Sequence, residues 1–550
     1  MTRPPLPTLA RTLWYWRREQ WAAEARRRLT RFDRRLRRAE GTPHLLAAQS
    51  ALPWLPPPRR AQRVPGQPRT SSGGLTLRRN FAWNDLGAGR VAFDHLHGFA
   101  WLGSRELRPD ERLLAMIDWI SFHALGPGWE PAPASRRILA WLKCLTTPGA
   151  LPPAPETHGR VLPSLADQLA TLDARLETHR LGSRLLWNLL ALSLASTLLD
   201  GGEAERWQRA VPRLASELAR QIGRDGAHEA RSPMLHAELL EGVLDLLNAL
   251  RSVPGRGPRE LEALLVEKAG AMLGAHAVWT HPDGEIALLG DSALGAAQPL
   301  AALAAYAAAL GVPARSPARP GVLDAAGVVK LERGPFALVF TAAPPAPAWA
   351  PAHAHCDALS FELSLSGERV VTDTGVADFA DGPRRDLARA TRSHATVVVN
   401  DAEQAELWGA DRMGGRPDVG LVRVEPGTSV EGVCAGWSTH EVLHRRTLRL
   451  HDASLRIEDR FDLPAARARL VLPLAPGVGA RLDGARAVLS LRSGRRLDVA
   501  LPENARWRLE RGPLVVELGD ESERAVLVGE ASGLAAADWR IDADPGLIPV

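Results

Sequence analysis

Tyrosine, lysine and cysteine are scarce in this chain. Its 550 residues include two tyrosines, Tyr15 and Tyr306, and three cysteines, Cys144, Cys356 and Cys434. An odd number of scattered cysteines argues against a disulfide framework. There are also only three lysines, so most of the positive charge is arginine. Catalysis through a lysine Schiff base is therefore disfavoured, and so is any site that needs several phenolic groups.

Long apolar runs are missing as well. No stretch of 18 apolar residues occurs, so no membrane-spanning helix is predicted. The N-terminus, MTRPPLPTLARTLWYWRREQ, lacks the apolar core of a secretory signal. We therefore expect a cytoplasmic protein, with the periplasm as the alternative if the true start differs. The apolar content of 45% is that of a globular protein, and the length predicts two or three domains.

The net charge of +5 is concentrated near the start of the chain, because residues 11–40 hold eleven arginines and four acids while the remainder sums to −2. Apolar residues interrupt these arginines at roughly helical spacing: Trp14, Trp16, Trp21, Leu29, Phe32 and Leu36. The pattern predicts a basic amphipathic helix. Such a helix either packs on the main domain with a solvated arginine face or contacts a membrane surface, a nucleic acid or an acidic glycan.

Three regions follow one another along the chain. Residues 1–80 contain this helix and a linker rich in Pro, Gly, Ser and Arg. Residues 81–315 show helical periodicity, in segments near 110–124, 135–147, 160–178, 182–200, 204–222, 232–252, 258–276 and 295–311. Their number and similar length predict antiparallel helix pairs that curl into an (α/α) toroid or incomplete barrel.

Residues 320–550 have a different sequence pattern. Short alternating runs such as GVVKLERG, FALVFTA, LSFELSL, SLRIEDRF and ARLVLPL are separated by Gly, Asp and Pro. This pattern predicts a large antiparallel β-sandwich. The fold class is therefore a multidomain α and β protein, a helical toroid followed by a sandwich.

Several motifs resemble, in order, those of the heparinase II/III family of polysaccharide lyases. They include Trp83-Asn84, FDHLHGFAWL (93–102), WEPAPASRRILAW (129–141), DGAHEARSPMLH (225–236) and HPDGEIALLGDSA (281–293). Longer blocks follow at HAHCDALSFELSLSGERVVTDTG (353–375), GPRRDLARATRSHATVVV (382–399) and ELWGADR (406–412). On these blocks the chain is identified as a member of that family.

The resemblance implies a zinc ion in the sandwich. The matching positions are His355, Asp373 and His394, and imidazole plus carboxylate is a sound zinc set. Spacing alone does not predict it, because a plain hairpin at Ser366–Gly367 would leave His355 and Asp373 roughly 16 Å apart along the strands. His355 must then lie on a bend before the strand. The expected role of the zinc is structural.

The resemblance also implies β-elimination on a uronic acid polymer, which needs a base, a group that neutralises the carboxylate, and an acid. Relatives use an Asn-His pair and tyrosines for these tasks. Here Ser183 and Arg184 occupy the Asn-His positions, Leu235 stands where one tyrosine is expected and Ala377 where another is expected. The tyrosine mechanism therefore cannot be carried over.

A repaired mechanism is one hypothesis. Arg184 would hold the substrate carboxylate through its two-pronged guanidinium. His353 would act as base or acid, and His236 or His228 would supply the other group. Alternatively, Arg184 pairs with an acid, and His236 and His228 are packing groups. The residues predicted to contact the substrate are Ser183, Asn188, His228, Arg231, Arg389 and Trp408.

Several other residues that match the family motifs are interpreted as structural. Trp83, Trp101, Trp129 and Trp141 are either sugar platforms or, as we prefer, buried residues of the helical core. The arginines that precede His394, among them Arg385 and Arg389, either face an acidic polymer or form structural ion pairs.

Two functions compete. The first is a lyase for an acidic, uronate-containing polysaccharide with an atypical active site. The second is a glycan-binding protein that has lost catalysis and serves capsule or exopolysaccharide production. Nucleic-acid binding has little support, because no recognisable nucleic-acid module follows the basic segment.

Overall fold

A computed structural model describes residues 4–29, 36–60, 83, 90–122, 126–201, 207–437, 440–518 and 520–544. Asn84 and Phe32, residues 61–80 of the predicted linker and the first residues of the segment near 204–222 lie outside the described part. No helix within the described ranges is long and apolar enough to cross a membrane.

The N-terminal half is helical, as the periodicity predicts. The helices are α1 (Leu6–Trp14), α2 (Arg18–Leu29), α3 (Arg90–Gly98), α4 (Pro109–Phe122), α5 (Pro131–Leu145), α6 (Leu162–Ala174), α7 (Gly182–Leu198), α8 (Ala210–Gln221), α9 (Pro233–Ser252), α10 (Arg259–Trp279) and α11 (Leu300–Ala309). Each of the eight predicted segments overlaps one of them, and α3 overlaps the motif FDHLHGFAWL. Several begin at a proline, whose fixed φ suits the first helical turn.

Up to Leu29, the arginine-rich segment forms two helices and not the single helix that its periodicity predicts. The chain breaks between α1 and α2, where the Gln20 side chain accepts the Arg17 amide at 3.0 Å. This is half of a capping box, a glutamine at the third position reaching back to the residue before the helix. The two helices pack on the main body, with Thr12 and Gln20 buried.

One apolar core fills the space between the helices. Trp101, Trp119 and Trp141 are at most 1% exposed, and Trp83 and Trp129 are buried as well. The rings of Trp119 and Trp141 meet edge to face with centroids 5.8 Å apart. The interpretation of these tryptophans as core residues is therefore confirmed.

The C-terminal half consists of antiparallel sheets. A five-stranded sheet contains β3 (Val322–Leu323), β4 (Val328–Arg333), β5 (Phe336–Thr341), β6 (Phe361–Leu365) and β7 (Glu368–Val371) in that order. A ten-stranded sheet contains β8 (Val397–Val399), β11 (Asp418–Glu425), β12 (Ser429–Ala435), β13 (Leu443–Leu450), β14 (Ser454–Pro473), β15 (Gly479–Asp483), β16 (Arg486–Ser490), β17 (Arg496–Ala500), β18 (Arg506–Glu517) and β19 (Asp520–Ala543). Two-residue pairs β1 (His44–Leu45) with β2 (Leu199–Asp200), and β9 (Leu407–Trp408) with β10 (Arg412–Met413), complete the strands of the described residues.

The longest strands differ from the prediction. SLRIEDRF and ARLVLPL were expected as separate strands, but both belong to β14, whose pairing with β19 shifts register between Arg460 and Ala465. A bulge lets a long strand bend without a turn, so the intervening Leu463-Pro464 does not end it. The burial of alternate residues in β14 and β17 matches the period of two.

The helical half and the sandwich share apolar contacts. One cluster joins Ala275 and Trp279 of α10 with Val328 and Val339 of the five-stranded sheet. A short helix, α12 (Pro383–Arg389), lies between β7 and β8. The three cysteines are free and buried. The fold class is confirmed as a helical N-terminal half followed by a large antiparallel sheet domain.

Candidate functional site

A cleft opens where the start of α7 faces the loop that leads into the five-stranded sheet. The helical half contributes residues 179–184 and 228–230, and the sandwich contributes residues 347–353 with Asp411, Arg412 and Arg416. The N-terminal helices close one side of the cleft through Thr12, Trp16, Gln20 and Glu24. Three parts of the chain, far apart in sequence, therefore build its walls.

His353 lies at the centre of the cleft wall. Its Nδ1 donates to Asp291 Oδ2 at 2.8 Å, and its Nε2 lies 3.4 Å from Ser183 Oγ. The imidazole is 18% exposed, while the Asp291 carboxylate behind it is fully buried. Gly290 lets the loop that carries Asp291 lie close to the backbone of His353, because a Cβ at position 290 would lie 3.1 Å from the His353 carbonyl oxygen. The loop around Asp291 thus holds the ring at the cleft.

Asp291 organises the junction between the two domains. Arg385 on α12 pairs with both of its oxygens, with Nη2 3.0 Å from Oδ2, and His355 Nε2 donates to Oδ1 at 2.9 Å. Burial by itself would raise the pKa of this carboxyl, but the Arg385 guanidinium and the two histidine hydrogen bonds hold the pKa well below its usual range. Asp291 therefore remains an acceptor for both imidazoles.

Arg184 presents a positive charge to the cleft. Its side chain is 39% exposed and, within the described part of the chain, its ion pair is a long one, 3.5 Å to Glu177. Asn188 does not reach the cleft, because it is buried one turn further along α7, where its Oδ1 accepts the Glu177 amide at 3.0 Å. Asn188 thus fixes the loop that carries Glu177. The Arg184 charge is free to meet an incoming anion.

Glu229 is a carboxyl group in the same cleft. Burial raises its pKa to about 7, although Arg220 lies 3.0 Å away. A carboxyl group with such a pKa can release or accept a proton near neutral pH. The sequence motif DGAHEARSPMLH includes this residue, but nothing in the motif indicates that it would be buried.

The three predicted metal ligands come together behind the cleft. Ligand atoms of His355, Asp373 and His394 all lie within 4.8 Å of one another, and the three side chains are buried. The bend predicted before β6 brings His355 to this position. His394 Nδ1 donates to Asp373 Oδ2 at 2.7 Å. The structure thus brings together residues whose spacing alone did not indicate a site.

The donor chemistry of this cluster suits a metal ion. His355 Nδ1 and His394 Nε2 are buried without a hydrogen-bond partner among the described residues, and an unpartnered buried nitrogen is unfavourable unless something binds it. Burial lowers the pKa of His355 to about 4, so its imidazole is neutral, as metal binding requires. Two imidazoles and a carboxylate are typical zinc ligands.

Three further predicted residues have side chains that hydrogen-bond within the protein. His236 is fully buried, with Nδ1 accepting the His228 amide and Nε2 on the Met272 carbonyl at 2.8 Å. His228 borders the cleft but uses both ring nitrogens, on Gln221 and the Ala230 amide. Arg231 donates to the carbonyls of residues 325 and 344. The structure does not bring His236 together with Arg184 and His353.

Arg389 and Trp408 also lie away from the cleft. Arg389 is buried and donates to four backbone carbonyls, those of residues 354, 409, 410 and 412. Trp408 donates its indole N–H to Thr12 Oγ1 at 2.9 Å, so it holds α1 in place. The hydrogen bonds of Arg389 and Trp408 are therefore made within the protein, those of Arg389 to backbone carbonyls and not to an acid.

The positions of the missing tyrosines are filled by an apolar cluster. Leu235 packs there with Met234, Ile286 and Val376, and Ala377 is 6% exposed. The two tyrosines present lie elsewhere. Tyr306 is buried in the helical core against Asp245, and Tyr15 lies under the Arg416 guanidinium. No tyrosine of the chain therefore stands where the family mechanism would use one.

Comparisons with known proteins agree with this architecture. Residues 315–528 match the family described as Heparinase II/III-like, C-terminal. The FtsZ-localized protein C of Caulobacter vibrioides is 27% identical over 511 residues, which cover 84% of this chain and 82% of that protein. The crystal structure of heparinase III superposes with a TM-score of 0.65 at 16% identity, over 84% of this chain and 79% of the other. The heparan sulfate lyase HepC of Pedobacter heparinus gives a TM-score of 0.54 at 18% identity, over 82% and 76%.

Proposed function

Since the sandwich of this chain belongs to the heparinase II/III-like family, we propose that the cleft beside it binds an acidic, uronate-containing saccharide. The observation that carries the proposal is Arg184, a cleft arginine with 39% of its side chain exposed and, among the described residues, one long ion pair. A planar guanidinium binds a carboxylate through two parallel hydrogen bonds. Arg184 would hold the carboxylate of one uronate unit.

The surroundings of Arg184 support an anionic ligand. Arg180, Arg412 and Arg416 line the same cleft. Arg180 and Arg412 share one carboxylate, that of Asp411, at 3.4 and 3.3 Å, so the positive charge there is only partly compensated. Clustered cations attract a polyanion over distances of about a Debye length.

Elimination at this site is a second candidate. His353 faces the cleft with its Nε2 and is oriented by Asp291, which favours proton transfer by this imidazole. Arg184 would neutralise the substrate carboxylate, His353 would remove the α proton, and Glu229 would protonate the leaving oxygen. His236 has no part in this scheme because its ring lies in the helical core.

A panel of acidic polysaccharides tests both candidates. Binding is measured by calorimetry, and elimination by the ultraviolet absorbance of the unsaturated uronate that a lyase leaves. Binding without absorbance supports the glycan-binding function, including a role in capsule or exopolysaccharide production, and excludes elimination on that panel. If no uronate polymer binds while the protein is folded, the proposed function is wrong.

We further propose that a zinc ion occupies the cluster of His355, Asp373 and His394. Its role would be structural, because His355 is two residues from His353 and also hydrogen-bonds Asp291. A metal bound there would hold the loop that presents His353 to the cleft. The unpartnered nitrogens of His355 and His394 are the support for this assignment.

The N-terminal helices are proposed to contact a membrane surface. Leu6 and Trp14 are 79% and 86% exposed, and Trp21 is 48% exposed, whereas the opposite face of α1 is buried through Thr8 and Thr12. Exposed aromatic and aliphatic residues beside arginines suit an anionic lipid interface. Sedimentation with anionic vesicles should be lost in Trp14→Glu and retained with Leu463→Glu, an exposed apolar residue of β14. Equal sedimentation of both variants would contradict this contact.

A further inference from the structure

Three side chains form a hydrogen-bonded chain in the wall of the cleft. Asp291 Oδ2 accepts from His353 Nδ1 at 2.8 Å, and His353 Nε2 lies 3.4 Å from Ser183 Oγ. Asp291 also pairs with Arg385, so it is a carboxylate and can only accept. Nδ1 is therefore the donor to Asp291, and in the neutral imidazole the lone pair then lies on Nε2, which faces the serine hydroxyl.

The backbone places this serine in an unusual way. Leu181, two residues earlier, has φ 57° and ψ −159°, a region that is almost restricted to glycine. The residue is nevertheless buried at 3% exposure. Its amide donates to the Glu177 carbonyl at 3.0 Å, and Gln221 Nε2 donates to the Gly182 carbonyl at 3.2 Å. In the nucleophile elbow a strained turn into a helix likewise presents a serine, although there the serine itself occupies the turn.

The start of α7 also supplies donors for negative charge. The first amides of a helix have no acceptor within the helix, and the side chain of Leu181 before α7 makes no capping bond. Ser183 is the second residue of that helix. An oxyanion formed on a carbon bonded to Ser183 Oγ would therefore lie near these amides and near the positive end of the helix dipole.

We propose that Ser183, His353 and Asp291 are the nucleophile, general base and orienting carboxylate of an acyl-ester hydrolase. Ser183 Oγ attacks the ester carbonyl carbon while its proton passes to His353 Nε2. The alkoxy group then leaves with that proton as an alcohol, and the acyl group stays on Ser183. Water attacks the acyl-enzyme, His353 takes one of its protons and returns it to Ser183 Oγ, and a carboxylic acid is released. No oxidant, reductant or metal is needed.

The cleft indicates the class of ester. Ser183 is 7% exposed and the His353 side chain is 18% exposed, so we infer a small acyl group. Arg180, Arg184 and Arg412 line the same space, so the alcohol part should carry negative charge. We therefore assign a short acyl ester on an acidic sugar. The assignment of an acidic sugar rests on the proposed glycan-binding function, whereas the assignment of the three catalytic residues does not.

A fluorophosphonate probe tests the nucleophile without any glycan. It forms a bond from phosphorus to an activated serine oxygen and releases fluoride, so labelling reports the hydroxyl directly. We expect one labelled peptide, containing Ser183, together with hydrolysis of 4-methylumbelliferyl acetate. Ser183→Ala should abolish labelling, and His353→Gln should slow it at least a hundredfold. Ser193→Ala, which changes a buried serine of the same helix, should label like the unchanged protein.

The other outcomes overturn the proposal. If the folded protein is not labelled at Ser183 under conditions that label a known serine hydrolase, Ser183 is only a hydrogen-bond partner of His353. If Ser183→Ala hydrolyses the small ester as fast as the unchanged protein, the reaction occurs elsewhere. Thermal unfolding of each variant shows that a loss is not caused by misfolding. Because the probe and the small ester carry no uronate, these results are separate from the glycan-binding test.

Discussion

Asp291 and Arg385 form a buried two-pronged ion pair that joins the helical half to the sandwich. Arg385 Nη2 lies 3.0 Å from Asp291 Oδ2, Nη1 bonds Oδ1, and the two side chains are 1% and 0% exposed. The same two carboxylate oxygens accept from His353 and His355. The pair therefore positions the histidine of the cleft and the histidine of the predicted metal cluster at once.

Breaking this pair should destabilise the protein. In Arg385→Met the Asp291 carboxylate stays buried without its cation, which costs about 3–5 kcal/mol. Urea unfolding measures the change. Arg486→Met is the matched control, because its ion pair with Asp498 leaves 67% and 51% of the two side chains exposed and should matter little. Equal midpoints for the two variants would show that the buried pair does not hold the junction.

Purified protein should contain about one zinc ion per chain. His394→Ala should lose the ion, because it removes one of the three clustered donors. His440→Ala is the control, since the ring of this half-buried histidine lies outside the cluster, where its Nε2 hydrogen-bonds the Val399 carbonyl and the ring stacks on Trp437. Metal analysis and thermal unfolding with and without a chelator are the measurements. The assignment would be contradicted if the native protein contained no metal and its melting temperature were the same with and without the chelator.

Arg184→Gln should weaken binding of an acidic saccharide by roughly ten- to a hundredfold, which corresponds to losing one charged hydrogen-bonding group. The fold should be unchanged, because the Arg184 side chain is 39% exposed and its contact with Glu177 is long, at 3.5 Å. The control is Arg213→Gln, which makes the same change of charge at an exposed position of α8 outside the cleft. Calorimetric titration of both variants at two salt concentrations separates a specific contact from general attraction. Similar weakening in the two variants would argue against a carboxylate site at Arg184.

Acid should destabilise the helical core through its buried histidines. Burial lowers the pKa of His236 to about 4 and that of His276 to about 3, and the two rings stack with centroids 5.6 Å apart. In the unfolded chain each titrates near 6.5. Between these values the unfolded state binds more protons, so stability is full above about pH 6.5 and falls as the pH drops towards 4.

The size of this effect can be measured by substitution. His276→Leu removes one such histidine, whose ring nitrogens have no hydrogen-bond partner among the described residues. When the pH falls from 7 to 5, the free energy of unfolding should decrease in both proteins. The decrease should be about 2 kcal/mol smaller in the variant than in the unchanged protein. Urea unfolding at the two pH values tests this, with the exposed His451→Gln as the control. The same acid sensitivity in all three proteins would mean that His276 is protonated in the folded state.

Much of the molecule could be predicted from the order of residues. The change from a period near four to a period of two separates the helical half from the sandwich, because each element buries one face. The tryptophan core follows from the same rule. The family motifs also identified His355, Asp373 and His394, although their spacing along the strands did not indicate that they meet.

The composition of the cleft was decided by tertiary structure. Asp291 lies in the motif HPDGEIALLGDSA, but only folding brings it between Arg385, His353 and His355. His236 and Arg389 are of residue types that often form active sites, yet one is enclosed by the helical core and the other by backbone carbonyls. Periodicity reports which face of an element is buried. It does not report which buried charges share a partner, because Coulomb attraction and hydrogen bonding act between groups that are close in space, however far apart they are in sequence.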